Sequence, residues 1–328
     1  MKSKSYIGII LLFICSFLWG STFVAQEETA VEPFTYLFMR SVVAVIFLLP
    51  VVIVSDVFRK RSKNNNESVK AKKGELKPLV IGGLLCGTAL FFASAAQQIG
   101  IYQGSNAGKA GFITAMYLLI VPIFGLFIGK PVGKLHWISI AVALCGLFLL
   151  TMTGGLEEFS LSALFSKDTL SALSIQGCDV FIIACAFLFS VQILFVDKYS
   201  SLVDCLKLSM MEFLVVAILS LVPMFVFETP TVSGIMSSWL SIVWAGILSS
   251  GVAYTLQIFG QKYTNPNIAS MIMSLEATFA VISAIFFSMF FEDHLKLPTA
   301  YEALGCTLMF LAIILSQLRF KKKNEIKE

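Results

Sequence analysis

Four ionisable side chains stand inside long apolar runs of this 328-residue chain: Arg40, Lys109, Glu212 and Glu276. In hydrocarbon each such charge costs roughly 3 kcal/mol on insertion scales, so each needs a partner, water or a task. Glu276 lies about ten residues into its run, roughly 15 Å along a helix axis and so near a membrane midplane. Two readings of it stand open: a ligand for a substrate cation or protonatable carrier, and a structural glutamate hydrogen-bonded between helices. Arg40 is about seven residues into its run, roughly 10 Å deep. It reads either as an anion ligand or gate ion pair, or as a cation snorkelling to the interface. Glu212 stands less than two turns from Lys207, and a structural ion pair or snorkel is expected there. Lys109, near the end of its run, is expected to snorkel, with a functional role as the alternative.

Aromatic and amide residues supply the remaining chemistry. Trp19, Phe23 and Gln26 recur at helical spacing, as do Tyr254, Gln257 and Gln261. A face mixing rings and amides wastes its polar groups if turned to lipid, so it belongs inside a bundle. There it could stack on a ring or cage a cation, or serve interhelical hydrogen bonding. Trp19, Phe23, Tyr254 and Gln257, with Arg40, Gln98, Tyr117 and Glu276, form the candidate substrate or coupling cavity. Trp137, Trp239 and Trp244 lie nearer the ends of runs and fit an interfacial aromatic belt.

The elements that must position them are membrane helices. Hydrophobic residues make up 57% of the chain and charged ones 13%, about half the charged fraction of a soluble domain. Ten runs long enough to cross a bilayer fall at 6–26, 33–54, 78–100, 105–128, 135–153, 177–197, 206–227, 237–260, 266–291 and 299–318. They are continuous rather than alternating, which favours helices over the strands of a barrel. No soluble domain of useful size fits between them. The first run, behind Lys2 and Lys4, has no convincing cleavage site and is expected to stay as an uncleaved helix.

Basic residues follow alternate loops. Lys2, Lys4, the eight between Arg59 and Lys77, Lys130, Lys134, Lys198, Lys207, Lys262 and the five from Arg319 to Lys327 fall on one side, twenty of 24 in all. Only Lys167 and Lys296 fall in loops on the other. The positive-inside rule therefore places both termini in the cytoplasm of a multi-pass plasma-membrane protein. The stretch from Arg59 to Lys77 reads as a flexible topogenic loop attracted to anionic headgroups. This alternation also argues against nucleic acid as a partner. The seven cysteines show no metal-ligand spacing and read as packing residues. Gly104 to Ala110 only superficially resembles a phosphate loop, because it lacks the spacing, the Ser/Thr after lysine and the preceding strand. No cofactor, metal or catalytic set is expected. Gly83 and Gly87 read as a close-packing pair.

Ten spans divide into two fives, and an odd number per half inverts the second in the membrane, as in many transporters. Arg40 to Pro50 and Glu212 to Pro223 each pair one ionisable residue with an apolar run ending in proline. Gln98 and Asn106 match Gln257 and Asn265 at one offset of 159.

Trp19-Gly20-Ser21-Thr22-Phe23, Pro33 with Arg40, Asn106 through Tyr117 to Pro122, and Met273-Ser274-Leu275-Glu276 together resemble the EamA-type branch of the drug/metabolite transporter superfamily. Ala277 stands where that branch often has proline, and Gly129-Lys130 where Gly-Glu is common. The resemblance implies an all-α integral membrane fold, ten transmembrane helices in two inverted five-helix repeats. The first repeat covers 1–153 with its basic loop at 55–77. An external linker at 154–176, a second repeat over 177–318 and a basic tail at 319–328 follow. It implies a cavity enclosed by spans 1–4 and 6–9, with spans 5 and 10 peripheral. The function implied is secondary transport, as an exporter, of a small metabolite such as an amino acid or an amphipathic or cationic drug, with possible proton coupling; the oligomeric state stays open. An intramembrane enzyme acting on a lipid-linked substrate is the alternative, but the two histidines, His136 and His294, sit near span ends. A channel would require charge rings or carbonyl filters, which the sequence lacks. In intact cells, a cysteine introduced at Asn65 is expected to escape an impermeant thiol reagent while one at Ser166 is labelled; rapid labelling at Asn65 would invert the topology.

Overall fold

A computed structural model describes residues 2–26, 29, 31–63, 76–105, 107–129, 132–152, 176–291 and 297–318. The chain is all-α there, and no strand occurs among the described residues. The helices are α1 (Lys2–Gln26), α2 (Pro33–Lys63), α3 (Leu76–Tyr102), α4 (Ala107–Thr114), α5 (Tyr117–Phe127), α6 (Lys134–Met152), α7 (Asp179–Ser200) and α8 (Cys205–Phe227). They continue as α9 (Val232–Ser237), α10 (Trp239–Trp244), a π-helical segment Ala245–Ala253, α11 (Tyr254–Tyr263), α12 (Pro266–Met273), α13 (Glu276–Phe291) and α14 (Ala300–Gln317). Ten stretches are long and apolar enough to cross a membrane. Large apolar side chains cover the periphery, Phe225 being 68% exposed and Val222 66%. Such a surface suits lipid rather than water.

Three spans expected to run as single helices are interrupted. The fourth is α4 and α5, joined through Ala115-Met116, where Met116 N–H reaches back to Ile113 and Leu118 N–H to Ala115. The ninth is α12 and α13, joined through Ser274-Leu275, where Leu275 N–H reaches back to Ile272. Each tightened turn is a local 3₁₀ shift that re-aims the helix after it. The ninth forms with Ala277, not proline, after Glu276. The eighth carries the π segment, whose wider turn also changes side-chain register. Of the stretch expected as a loop, residues through Lys63 and from Leu76 are helical; 64–75, the linker at 154–175 and the tail at 319–328 lie outside the described residues.

The two halves pack by exchanged contacts. α1 lies against α11 and α13, as α7 lies against α3 and against α4 and α5; α2 meets α8, and α6 meets α14. Glycines show the same relation in detail. A Cβ at Gly87 would meet the Glu212 carbonyl and Val215, and one at Gly246 would meet the Arg40 carbonyl and Val43. Gly87 and Gly246 are 159 residues apart, and Arg40-to-Glu212 and Val43-to-Val215 share a second offset of 172. Gly83 also packs closely, against Met211. Gly146 and Gly305, again 159 apart, face each other where α6 meets α14. A Cβ on Gly146 would lie 2.8 Å from the Gly305 carbonyl oxygen.

The α2–α8 pair is bonded at both ends. At one, Arg59 pairs with Asp204 and Lys207 with Asp56 at 2.8 Å. Asp204 also caps α8 by accepting from the Leu206 and Lys207 backbone N–H. At the other end the Glu228 carboxylate accepts from the backbone N–H of Phe34 and Thr35 and from the Thr35 hydroxyl, while Glu32 accepts from the Thr229 N–H. Burial alone would raise the Asp204 carboxyl. The Arg59 hydrogen bond, the Lys207 backbone N–H and both nearby cations outweigh it and hold Asp204 below the usual carboxylate range.

Gly146→Val is expected to cost about 1–3 kcal/mol of stability by overpacking, read as a lower melting temperature in detergent, with flux per folded molecule unchanged because neither α6 nor α14 lines the cavity described below. Because the folded Asp204 value is depressed, its stabilisation is complete above the ordinary Asp range of about 3.9 and is lost as pH falls through the lower folded value. Asp204→Asn should therefore melt lower than the native protein at neutral pH and lose that acid-side dependence.

Candidate functional site

The interrupted helices converge on one cavity of about 570 Å³, its open mouth included, within the range of small-molecule sites. Glu276 is the first residue of α13, directly after the tightened turn, and Tyr117 holds the same place at the start of α5. They are 159 residues apart and meet: the Tyr117 hydroxyl donates to Glu276 Oε1 at 3.4 Å. The repeat thus brings its two break residues together at its centre, one as a phenol and the other as a carboxylate. Both are buried, Glu276 being 9% exposed.

Trp19 and Tyr254 form an aromatic wall, their rings 4.8 Å apart and tilted by 60°. Tyr254 is braced behind by Phe213, edge-on at 5.2 Å. Phe189 of α7 also lines the cavity. Arg40 lines it from α2, with its guanidinium over the Tyr36 ring at 5.9 Å and one long contact, Nη2 to Ser94 Oγ at 3.4 Å. It makes no ion pair with Glu276 or any other carboxylate among the described residues. The site therefore holds a guanidinium and a carboxyl group that do not pair with each other directly. Around it Trp19 Nε1, Arg40 Nε and Gln257 Oε1 are buried with no partner among the described residues. Buried polar atoms are normally satisfied, so these are groups a bound polar ligand would engage.

Six residues singled out from sequence line the cavity: Trp19, Arg40, Tyr117, Tyr254, Gln257 and Glu276. Gln98 does not; the neighbouring Gln97 does, and its Nε2 bonds Thr114 Oγ1 at 3.2 Å. Helix rotation about a single residue, which apolar runs do not fix, separates the two. Phe23 and Gln26 continue α1, but their side chains lie outside the described residues. Gln261 is buried, both its amide atoms have no partner among the described residues, and it does not line the cavity.

Two sequence expectations need correction. Lys109 does not snorkel: it is 8% exposed and pairs at 2.5 Å with Asp179, which is fully buried and also accepts from Ser105 Oγ and the Gln176 N–H. The partner is far off in sequence at the start of α7, so spacing could not show it. Glu212 does not pair with Lys207, which reaches Asp56 instead. Glu212 accepts a hydrogen bond from Gln192 Nε2 at 2.8 Å, and Gln192 Oε1 accepts from Gln257 Nε2 at 3.2 Å. Gln192 was missed by sequence reading although it lines the cavity. It is a lone amide in the apolar run Phe187 to Val196, and the reasoning that singled out Gln257, that an amide is wasted if turned to lipid, would have found it. Thr22, Thr114 and Ser249 also line the cavity, and their small hydroxyls give no signal in an apolar helix.

His136 lies near the start of α6 away from the cavity, and His294 lies outside the described residues. Among the described residues no three His, Cys, Asp or Glu gather as metal ligands would. Trp239 and Trp244 are 55% and 42% exposed at one end of the eighth span, where a membrane belt would lie, while Trp137 packs against the core.

Comparison with known proteins agrees with this architecture. A solved crystal structure, 19% identical, matches the fold over 97% of this chain and 97% of its own with a TM-score of 0.67. A protein of Archaeoglobus fulgidus described as an uncharacterized transporter is 26% identical over 311 residues, covering 94% of this chain and 85% of that protein. The model of the EamA-like transporter family matches twice, over 6–152 and 176–318, one match for each five-span half. The chain is a multi-pass membrane transporter and belongs to the EamA-like transporter family.

Proposed function

We propose that the chain is a secondary transporter that exports a small metabolite bearing an ammonium or other cationic group, such as an amino acid or a cationic amphiphile, by alternating access around the central cavity. The observation that carries this reading is the Glu276 carboxylate lining the cavity with the Trp19–Tyr254 wall, hydrogen-bonded among the described residues only by Tyr117. A carboxylate there attracts a cation, and aromatic faces add to that attraction. Arg40 on the same cavity suits a carboxylate at the other end of the ligand, which favours a zwitterion over a simple cation. Outward direction follows from the resemblance, and the basic-residue pattern supports a plasma-membrane orientation with both termini cytoplasmic.

Alternating access gains support from the two-half construction. The α2–α8 pair, bonded at both ends, and the α6–α14 pair, packed through facing glycines, suit rigid parts. The interrupted spans meeting at Tyr117 and Glu276 suit the moving ones. With no nucleotide-binding motif in the sequence, energy comes from a gradient.

Glu276→Gln keeps shape and most hydrogen bonding but removes the charge. In proteoliposomes, counterflow of radiolabelled amino acids and of ethidium should reveal a carrier in the native protein. Flux should drop at least tenfold in the variant, about 1.4 kcal/mol or more, with folding and yield retained. Native flux from folded Glu276→Gln would overturn the reading, as would product formation from a lipid-linked substrate without flux.

A further inference from the structure

Glu212 is a second buried carboxyl that substrate binding at Glu276 does not use. It lies seven residues into α8, roughly 10 Å from the helix start, with no exposed surface. Gln192 satisfies Oε1, and Oε2 has no partner among the described residues. Among the described residues, no charged group on the elements packed against it bonds to it. On α2, Arg40 sits over Tyr36 and reaches Ser94, Arg59 pairs with Asp204 and Asp56 with Lys207. α3 brings only the buried Cys86 thiol near it, α11 brings Tyr254, and α7 brings the neutral Gln192. No cation is bonded to Glu212 among the described residues. An ionised carboxylate there would leave a charged oxygen with no cation or donor among the described residues, a larger penalty than the roughly 1–3 kcal/mol of one unsatisfied O–H.

The geometry points to Glu212 as a proton-binding site behind the cavity wall, linked to the cavity by the amide chain Gln257–Gln192. Both amides donate toward Glu212, so the free end of the chain is the acceptor Gln257 Oε1, which is buried and unpartnered. An ammonium group donating to that oxygen polarises both amides and strengthens the donor on Glu212, which favours its ionised form. The Glu212 O–H bond then breaks, its electron pair stays on the carboxylate and H⁺ passes to water. One positive charge enters the cavity as one leaves Glu212. By linkage the reverse also holds, so protonating Glu212 weakens cation binding, the condition for exchanging substrate against protons. The role of the proton rests on the proposed transport reading; its location does not.

Infrared spectroscopy of the purified full-length protein in detergent at neutral pH, in H₂O and D₂O, tests the location without any ligand. The expected result is a carboxylic-acid C=O band that Glu212→Gln abolishes and Glu276→Gln retains. Gln192→Met, which keeps the carboxyl but removes its donor, should shift that band to higher frequency, and serves if Glu212→Gln fails to fold. A Gln257→Met variant should move the pH at which the band disappears. A spectrum unchanged in Glu212→Gln, or unshifted in Gln192→Met, would overturn the inference. A band lost only in Glu276→Gln would place the proton on the cavity carboxylate, overturning this inference while leaving the transport reading intact. A band lost in Glu212→Gln together with native flux in Glu276→Gln would uphold the proton site and sink the substrate reading.

Discussion

A backbone in hydrocarbon has no water to bond, so each peptide group must be satisfied within the chain, and irregular backbone survives only where protein surrounds it or a cavity takes it in. The interruptions follow that rule. The turns at Ala115-Met116 and Ser274-Leu275 and the π segment at Ala245–Ala253 all lie at or beside residues that line the cavity. Nearby hydroxyls take up backbone acceptors there: Ser16 of α1 donates to the Ile272 carbonyl, and Thr255 to that of Gly251. The cavity and the broken helices are therefore one feature, because each makes the other tolerable.

The repeat turns that feature into a site. Residues 159 apart occupy equivalent places in the two halves, and two pairs of counterparts meet each other: Gly146 meets Gly305 and Tyr117 meets Glu276. Where the counterparts are both glycine the result is close packing. Where they have diverged into phenol and carboxylate the result is a polar centre. Arg40 and Glu212 form a similar pair on α2 and α8, but they face different surroundings. Arg40 opens to the cavity, while Glu212 is sealed behind Gln192. Different residues at equivalent places in two similar halves thus give one polar cavity and one concealed carboxyl.

Much of this was legible in the chain because the membrane imposes simple rules. Apolar runs of about 20 residues gave the ten spans, and a charge within one is costly enough to mark Arg40 and Glu276 as cavity residues. The aromatic and amide faces of Trp19, Tyr254 and Gln257 were visible for the same reason. Less visible were choices of one residue, as between Gln97 and Gln98, because an apolar helix can rotate by one position with little change in hydrophobic burial. The 3₁₀ and π interruptions were hidden too, since neither Ala115-Met116 nor Ser274-Leu275 contains a residue that obliges a break.

The sequence by itself determined that the chain spans a membrane ten times in two related halves, since hydropathy and charge act locally and are summed along the chain. Which charges meet was decided only by tertiary structure. Lys109 found Asp179 seventy residues away, and Lys207 bonded Asp56 rather than the nearer Glu212. Glu212 was left to a two-glutamine chain ending in the cavity. The physical reason is that an ion pair or hydrogen bond depends on distances of about 3 Å between side chains, and those distances are set by how helices cross rather than by the order of residues within them.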